Sequence, residues 1–141
     1  MKQEWNAVYE GALRVLKAHA VQRVVRATYS RVLVDEYQDC TAPQHAVIVA
    51  LANHLPTCVL GDPLQGIFSF AGGTLRWTSD VEGVFPRLGT LTEPWRWKGK
   101  NEPLGKWLLD LRRPLADGER IDLSSAPLKW SNQPGPDVWR G

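Results

Sequence analysis

Two short apolar runs in this chain each lead into acidic residues, and together those residues suggest phosphate or metal chemistry. Val32-Leu33-Val34 runs into Asp35-Glu36-Tyr37-Gln38-Asp39-Cys40, and Thr57 to Leu60 runs into Gly61-Asp62-Pro63-Leu64-Gln65. A carboxylate fixed at a strand end can hold Mg²⁺, usually through water, while its neighbour polarises an attacking water. Asp35 and Glu36 have that arrangement, and Asp62 with Gln65 offers a second polar set some twenty residues on. Apolar runs ending in Asp-Glu are also common at solvated strand ends, so the pair needs its context. A metal-dependent hydrolase built on Asp35, Glu36 and Asp62 is one chemistry the pattern allows. Cys40 and Cys58 lack C-x-x-C spacing and have no clustered His beside them. That argues against a zinc site or a disulfide scaffold, and it fits a reducing cytoplasm.

The elements that would position these residues follow from periodicity. From about Glu4 to Ala27, apolar residues fall at helical spacing (Trp5, Val8, Ala12, Val15, Leu16, Val21, Val24, Val25). Val32 to Val34 is continuous and β-branched, which predicts a strand buried on both faces of a parallel sheet. Thr41 and Gln44 have capping-box spacing with Pro43 in the first turn, so a helix is expected from Ala42 to His54. Thr57 to Leu60 reads as a second buried strand. Leu64 to Gly73 reads as a loop, Leu75 to Phe85 as a short helix and Leu88 to Leu91 as a third strand. Asn101 and Pro103 open a further helix ending near Ala116, and Ile121 to Leu123 reads as a fourth strand. Beyond Ser124 the Pro, Ser, Asn and Gly content predicts loop. Strand–helix–strand alternation points to an α/β fold with a helix-flanked parallel sheet, in which ligands bind outside the carboxyl ends of the strands.

Bulk properties narrow the class without deciding it. The chain has 141 residues, 43% of them hydrophobic and 23% charged, an ordinary globular composition with room for a core. A net charge of +2 neither demands nor excludes a nucleic-acid partner. No stretch approaches a membrane span, and the N-terminus lacks a signal-peptide core, so a cytoplasmic protein with no membrane partner is expected. The seven Trp, notably Trp5 and Trp107 at helical spacing, suit a core better than a binding face. His19, His45 and His54 read most simply as helix-face residues, and Arg112-Arg113 as a solvated helix end.

Val-Leu-Val-Asp-Glu has the form of a Walker B element, and its continuation is more specific. Asp35-Glu36-Tyr37-Gln38-Asp39 resembles the D-E-x-Q-D of motif II in UvrD/Rep-like superfamily 1 DNA helicases. Val59 to Gly73 resembles motif III of the same family, and Glu93-Pro94-Trp95-Arg96-Trp97 sits where the family places motif IV. The resemblance spans about Tyr29 to Arg112. It implies a RecA-like, P-loop-NTPase type fold, with residues 1–92 belonging to a first RecA-like domain, 93–123 opening a second, and 124–141 a tail. It also implies roles. Asp35 would coordinate Mg²⁺, Glu36 would activate water, and Gln65 would sense the γ-phosphate of ATP. Arg96 would reach the transferring phosphoryl group, Gln38 and Asp39 would link motif II to neighbouring motifs, and both with Asp62 would belong to the nucleotide-binding set. Phe68 and Phe70 match positions that stack on single-stranded bases, although both would serve equally well as plugs under their own loop. The chain departs from the pattern at Gly66 (Ser), Ala71 (Arg), Trp95 (Tyr) and Trp97 (Ser). Loss of the Arg at 71 weakens the expectation of DNA coupling more than that of the ATP site.

No G-x-x-x-x-G-K-[ST] loop occurs in the sequence. The nearest stretch, Gly99 to Trp107, has one residue too many between its glycines and Trp where a hydroxyl must bind Mg²⁺. Without that loop nothing cradles the β- and γ-phosphates, so ATP and Mg²⁺ are expected only when a Walker A-bearing segment completes the site. In the family the Walker A strand neighbours the motif III strand, so an open strand edge is expected here. Two readings besides the hydrolase follow. One is a fragment of an ATP-dependent helicase or translocase acting on single-stranded or partly duplex DNA, partnered by the missing segment. The other is a stand-alone module binding DNA or protein that keeps the motifs as inheritance.

Overall fold

A computed structural model describes residues 2–66, 75–124 and 126–127. The element order is α1 (Lys2–Leu16), α2 (His19–Thr28), β1 (Val32–Val34), α3 (Ala42–Ala52), β2 (Thr57–Val59), α4 (Glu102–Asp110) and α5 (Arg112–Ala116). The chain divides into two compact units, Met1–Leu88 and Gly89–Gly141.

In the first unit the two β-branched runs pair in parallel, with Val32 opposite Thr57, Leu33 opposite Cys58 and Val34 opposite Val59. Parallel neighbours need a long crossover, and α3 supplies it. Backbone bonds extend the pairing past both strand ends: Val32 N donates to Pro56 O, and Leu60 N to Val34 O. Tyr37 N then donates to Leu60 O at 2.9 Å, so the loop after β1 is tied to the end of β2. The expected α3 forms with Pro43 in its first turn. Gln44 Oε1 accepts from Thr41 N at 2.8 Å and from Thr41 Oγ1 at 2.9 Å. Beyond Gln44 and His45 the helix carries only apolar residues, and it packs against α1. Gln44 Nε2 also donates to Tyr9 Oη of α1 at 3.1 Å. Tyr37, Leu55 and Val81 are the buried apolar residues of the described core.

Several expectations need correction. Leu33 is 66% exposed, so β1 is not buried on both faces. Alternation puts Leu33 on the face opposite Val32 and Val34, and at Leu33 that face is open to solvent. The sheet has two strands, so among the described residues each keeps an edge without a strand partner. The N-terminal periodicity holds two helices, because the chain turns extended at Ala18 and Gln22 Nε2 caps the Leu16 carbonyl at 2.9 Å. Leu88 to Leu91 is not a strand: these residues lie in an irregular stretch with Leu88 90% and Leu91 86% exposed. Ile121 to Leu123 forms no strand either. Between Leu75 and Phe85 the helical content is a π-turn, Trp77–Val81, followed by turns.

In the second unit the helix expected from Asn101 breaks at Leu111 into α4 and α5. Pro114 has no N–H to give the Asp110 carbonyl, which interrupts the ladder at that point. Asn101 Oδ1 caps α4 by accepting from Leu104 N. Gly105 is buried where a Cβ would lie 2.7 Å from Trp97 Cβ and 3.0 Å from Pro94 Cβ, so only glycine lets α4 approach the Trp95–Trp97 turn this closely.

Candidate functional site

Two loops meet at the carboxyl ends of β1 and β2. β1 ends at Val34, and Glu36 takes a left-handed backbone conformation at φ 52°, the only non-glycine with positive φ among the described residues. For a residue with a Cβ that conformation is strained by roughly 1–2 kcal/mol, and such strain persists only where its surroundings over-determine it. Here Glu36 N donates to Asp35 Oδ1 at 2.9 Å, Asp39 N donates to Glu36 O, and Tyr37 anchors the following 3-10 turn. Tyr37 is fully buried, its hydroxyl hydrogen-bonded with His45 Nδ1 at 2.8 Å and its ring edge-on to His45 and Phe85. Burial, helped by the neighbouring Cys40, pushes its pKa up to about 12. The half-buried Cys40 thiol is itself pushed up, by burial and then by the charge of Asp39, so it is held as a thiol.

The second loop meets the first through side chains. Gln38 Nε2 donates to Glu36 Oε2 at 2.6 Å, and Gln38 Oε1 accepts from Asp62 N at 2.9 Å. Asp62 Oδ1 accepts from Leu64 N, and Asp62 Oδ2 accepts from Gln65 Nε2 at 2.8 Å. Glu36, Gln38, Asp62 and Gln65 therefore form one continuous chain of bonds across the two strand ends. Gly61 makes this approach possible. A Cβ there would sit 2.8 Å from the Trp77 ring and 2.9 Å from Gln38 Oε1, so the backbone is sandwiched between indole and amide. Trp77 Nε1 is fixed by Glu82 Oε1 at 3.2 Å.

A sequence comparison matches residues 3–86 to the UvrD/REP helicase N-terminal domain. The chain belongs to that family. Among its curated relatives, the ATP-dependent DNA helicase UvrD1 of Mycobacterium tuberculosis is 33% identical over 79 residues, covering 50% of this chain and 10% of that protein. UvrD1 of Mycobacterium leprae is 34% identical over 77 residues, covering 47% and 10%. The RecBCD enzyme subunit RecB of M. tuberculosis is 34% identical over 73 residues, covering 51% and 7%. The chain thus spans a tenth or less of the length of these relatives. No solved structure matches it.

Within the region matched to the UvrD/REP domain lie Asp35, Glu36, Gln38, Asp39, Asp62 and Gln65, and four of these form the bonded chain above. Asp35 and Asp39 are exposed beside it. Phe68 and Phe70 fall in the matched region but outside the described residues. Arg96 lies beyond residue 86, exposed in the Trp95–Trp97 turn of the second unit, where Lys98 Nζ sits 4.0 Å over the ring of the 67% exposed Trp95. Two contributors escape a reading of the sequence: Trp77, whose ring lies against Gly61 opposite the Gln38 amide, and His45, which is hydrogen-bonded to the Tyr37 hydroxyl. Tyr37 and His45 are eight residues apart, a separation that signals nothing by itself. No helix among the described residues is long and apolar enough to cross a membrane.

Proposed function

We propose that this chain forms the middle of the ATPase site of a UvrD/Rep-type DNA helicase or translocase, on a RecA-like fold completed by a segment carrying the phosphate-cradling loop. The bonded chain from Glu36 through Gln38 and Asp62 to Gln65 is the observation that carries this reading. It gathers the carboxylate and the amide that such chemistry needs at the carboxyl ends of two parallel strands, where open α/β sheets bind ligands. Asp35 would hold Mg²⁺ and Glu36 would take a proton from the attacking water. Gln65 contacts the γ-phosphate, while Gln38, Asp39 and Asp62 keep the two loops in register. Arg96 belongs to the second RecA-like domain and stabilises charge on the transferring phosphoryl group. Phe68 and Phe70 stack on bases of single-stranded DNA.

The donor set suits a shared Mg²⁺ better than a self-contained metal site. Among the described residues no three His, Cys, Asp or Glu side chains converge on one metal position. Asp35, with one oxygen engaged by Glu36 N, keeps lone pairs that would hold such a cation. Bound there, Mg²⁺ would neutralise phosphate charge.

The test is a titration with a Mg²⁺–ATP analogue and with single-stranded DNA, followed by completion of the site. Completion would place residues 3–86 of this chain in the matching region of a UvrD1 helicase. The completed protein should hydrolyse ATP, and Glu36→Gln should lower its kcat by about 10²–10⁴-fold, the usual range for a lost general base. Equal rates for both would sink the assignment of Glu36. DNA binding by the chain alone that is lost in Phe70→Ala, with no hydrolysis on completion, would favour a stand-alone binding module.

A further inference from the structure

We propose that Gln38 is a positioning residue that transmits the state of the Gln65 side chain to the Glu36 carboxylate. The proposal rests on the reading of Glu36 and Gln65 given above and adds the route between them. Both ends of the Gln38 amide are occupied: Nε2 donates to Glu36 Oε2 at 2.6 Å and Oε1 accepts from Asp62 N at 2.9 Å. Rotating the amide by half a turn would set its NH₂ against the Asp62 N–H and its carbonyl against a carboxylate, so the network allows one orientation. The bond to Glu36 is charge-assisted, and bonds arranged in series polarise one another.

Asp62 is the hinge of the relay. Its carboxylate holds Gln65 Nε2 at 2.8 Å while its own N–H reaches back to Gln38. A Gln65 amide that turns to donate to a phosphate must leave Asp62 Oδ2, and the Asp62 loop then loses one of its ties. The residue before it has little freedom to absorb that change. Gly61 is held between the Trp77 ring and Gln38 Oε1, and Leu60 is bonded through its backbone to both Val34 and Tyr37. Movement at Asp62 is therefore felt at the Gln38 amide and, through it, at Glu36. On the other side, the left-handed backbone at Glu36 fixes where its side chain starts, which leaves the carboxylate direction to Gln38.

The test reads the relay directly on the isotope-labelled 141-residue chain, without nucleotide. Gln65→Ala should shift the Glu36 side-chain carboxyl carbon and the Gln38 side-chain amide in NMR spectra. Gln38→Met keeps the length of the side chain and removes both hydrogen bonds. In that background Gln65→Ala should still shift the Asp62 and Leu64 amides but no longer the Glu36 carboxyl. Gln38→Glu is the second variant, since it can still accept from Asp62 N but cannot donate to Glu36, and it should break the relay at the same point. Unchanged Tyr37, His45 and Phe85 signals show that each variant keeps its fold. A Glu36 carboxyl that ignores Gln65→Ala in the native background, or that still responds in both Gln38 variants, overturns the proposal. This experiment is independent of hydrolysis: a relay without a Glu36→Gln effect on the completed protein would refute the assigned chemistry and leave the relay standing.

Discussion

At the scale of single residues, strain and anchorage sit side by side. Glu36 occupies a backbone region that disfavours any residue with a Cβ, and the next residue is the most deeply buried aromatic of the described chain. The buried Tyr37 ring offsets the strain at Glu36 and fixes the turn from which Glu36 and Gln38 project. This makes the fold sensitive to alkali in a definite direction. The Tyr37 hydroxyl has a pKa of about 12 when folded against 10.0 when free. Between those values the unfolded chain loses a proton that the folded chain keeps, so stability present below pH 10 falls as pH rises through the window. One pKa unit corresponds to about 1.4 kcal/mol. By pH 11 about one unit of that window has been crossed, so the expected loss there is about 1–2 kcal/mol. Urea unfolding at pH 9, 10 and 11 measures it. Tyr37→Phe should flatten the part of the decline that this hydroxyl causes, while lowering stability at neutral pH by about 1 kcal/mol through the lost bond to His45. An equally steep alkaline decline in Tyr37→Phe would place the effect elsewhere.

At the scale of elements, what was legible in the sequence is what is local. The Thr41–Gln44 spacing, Pro43 and the two β-branched runs announce α3, β1 and β2 through their own residues, and the strand–helix–strand order announces the parallel pair. The motif residues Glu36, Gln38, Asp62 and Gln65 were legible as a set through family resemblance. That Gln38 links its own motif to a neighbouring one was implied by the same resemblance; which atoms it joins was not, because its partners lie on two loops brought together only by strand pairing. The same holds for the break at Ala18, where Gln22 caps a carbonyl six residues back, and for Trp77, whose ring covers Gly61 across sixteen positions. Leu88 to Leu91 has strand-like residue types, yet Gly89 interrupts it and no described strand pairs with it. Gln44 belongs to both categories, being a local cap and a distant tie. Gln44→Leu keeps the helix interior apolar but leaves the Thr41 N–H and the Tyr9 hydroxyl without this partner. It should lower stability by about 1–2 kcal/mol, within the range for a lost cap. Faster amide exchange confined to the first turn of α3 and to α1 would locate the loss, whereas an unchanged denaturation midpoint would show that water replaces both bonds.

At the scale of the whole molecule, three independent features coincide near one position. The two compact units divide after Leu88, the match to the UvrD/REP helicase N-terminal domain ends at residue 86, and residues 86–93 are irregular and exposed throughout. Proteases cut where backbone is exposed and not held in helix or sheet. Leu88 and Leu91, 90% and 86% exposed, present apolar side chains to solvent within that stretch. Among the described residues, limited chymotrypsin digestion should therefore cut first after Leu88 or Leu91, and trypsin after Arg87. The stronger expectation concerns the N-terminal product. The parallel strands, α1 to α3, Tyr37 with His45 and Phe85, and the Glu36–Gln38–Asp62–Gln65 chain all lie within residues 1–88. A fragment ending there contains every described contact that positions the proposed site residues at the two strand ends. Its NMR spectrum should reproduce the dispersed Tyr37, Gln38 and Asp62 signals of the full chain. Collapse of those signals in the 1–88 fragment would mean that residues beyond 88 help hold the strand-end loops, and that the coincidence of boundaries does not mark an independently folding unit.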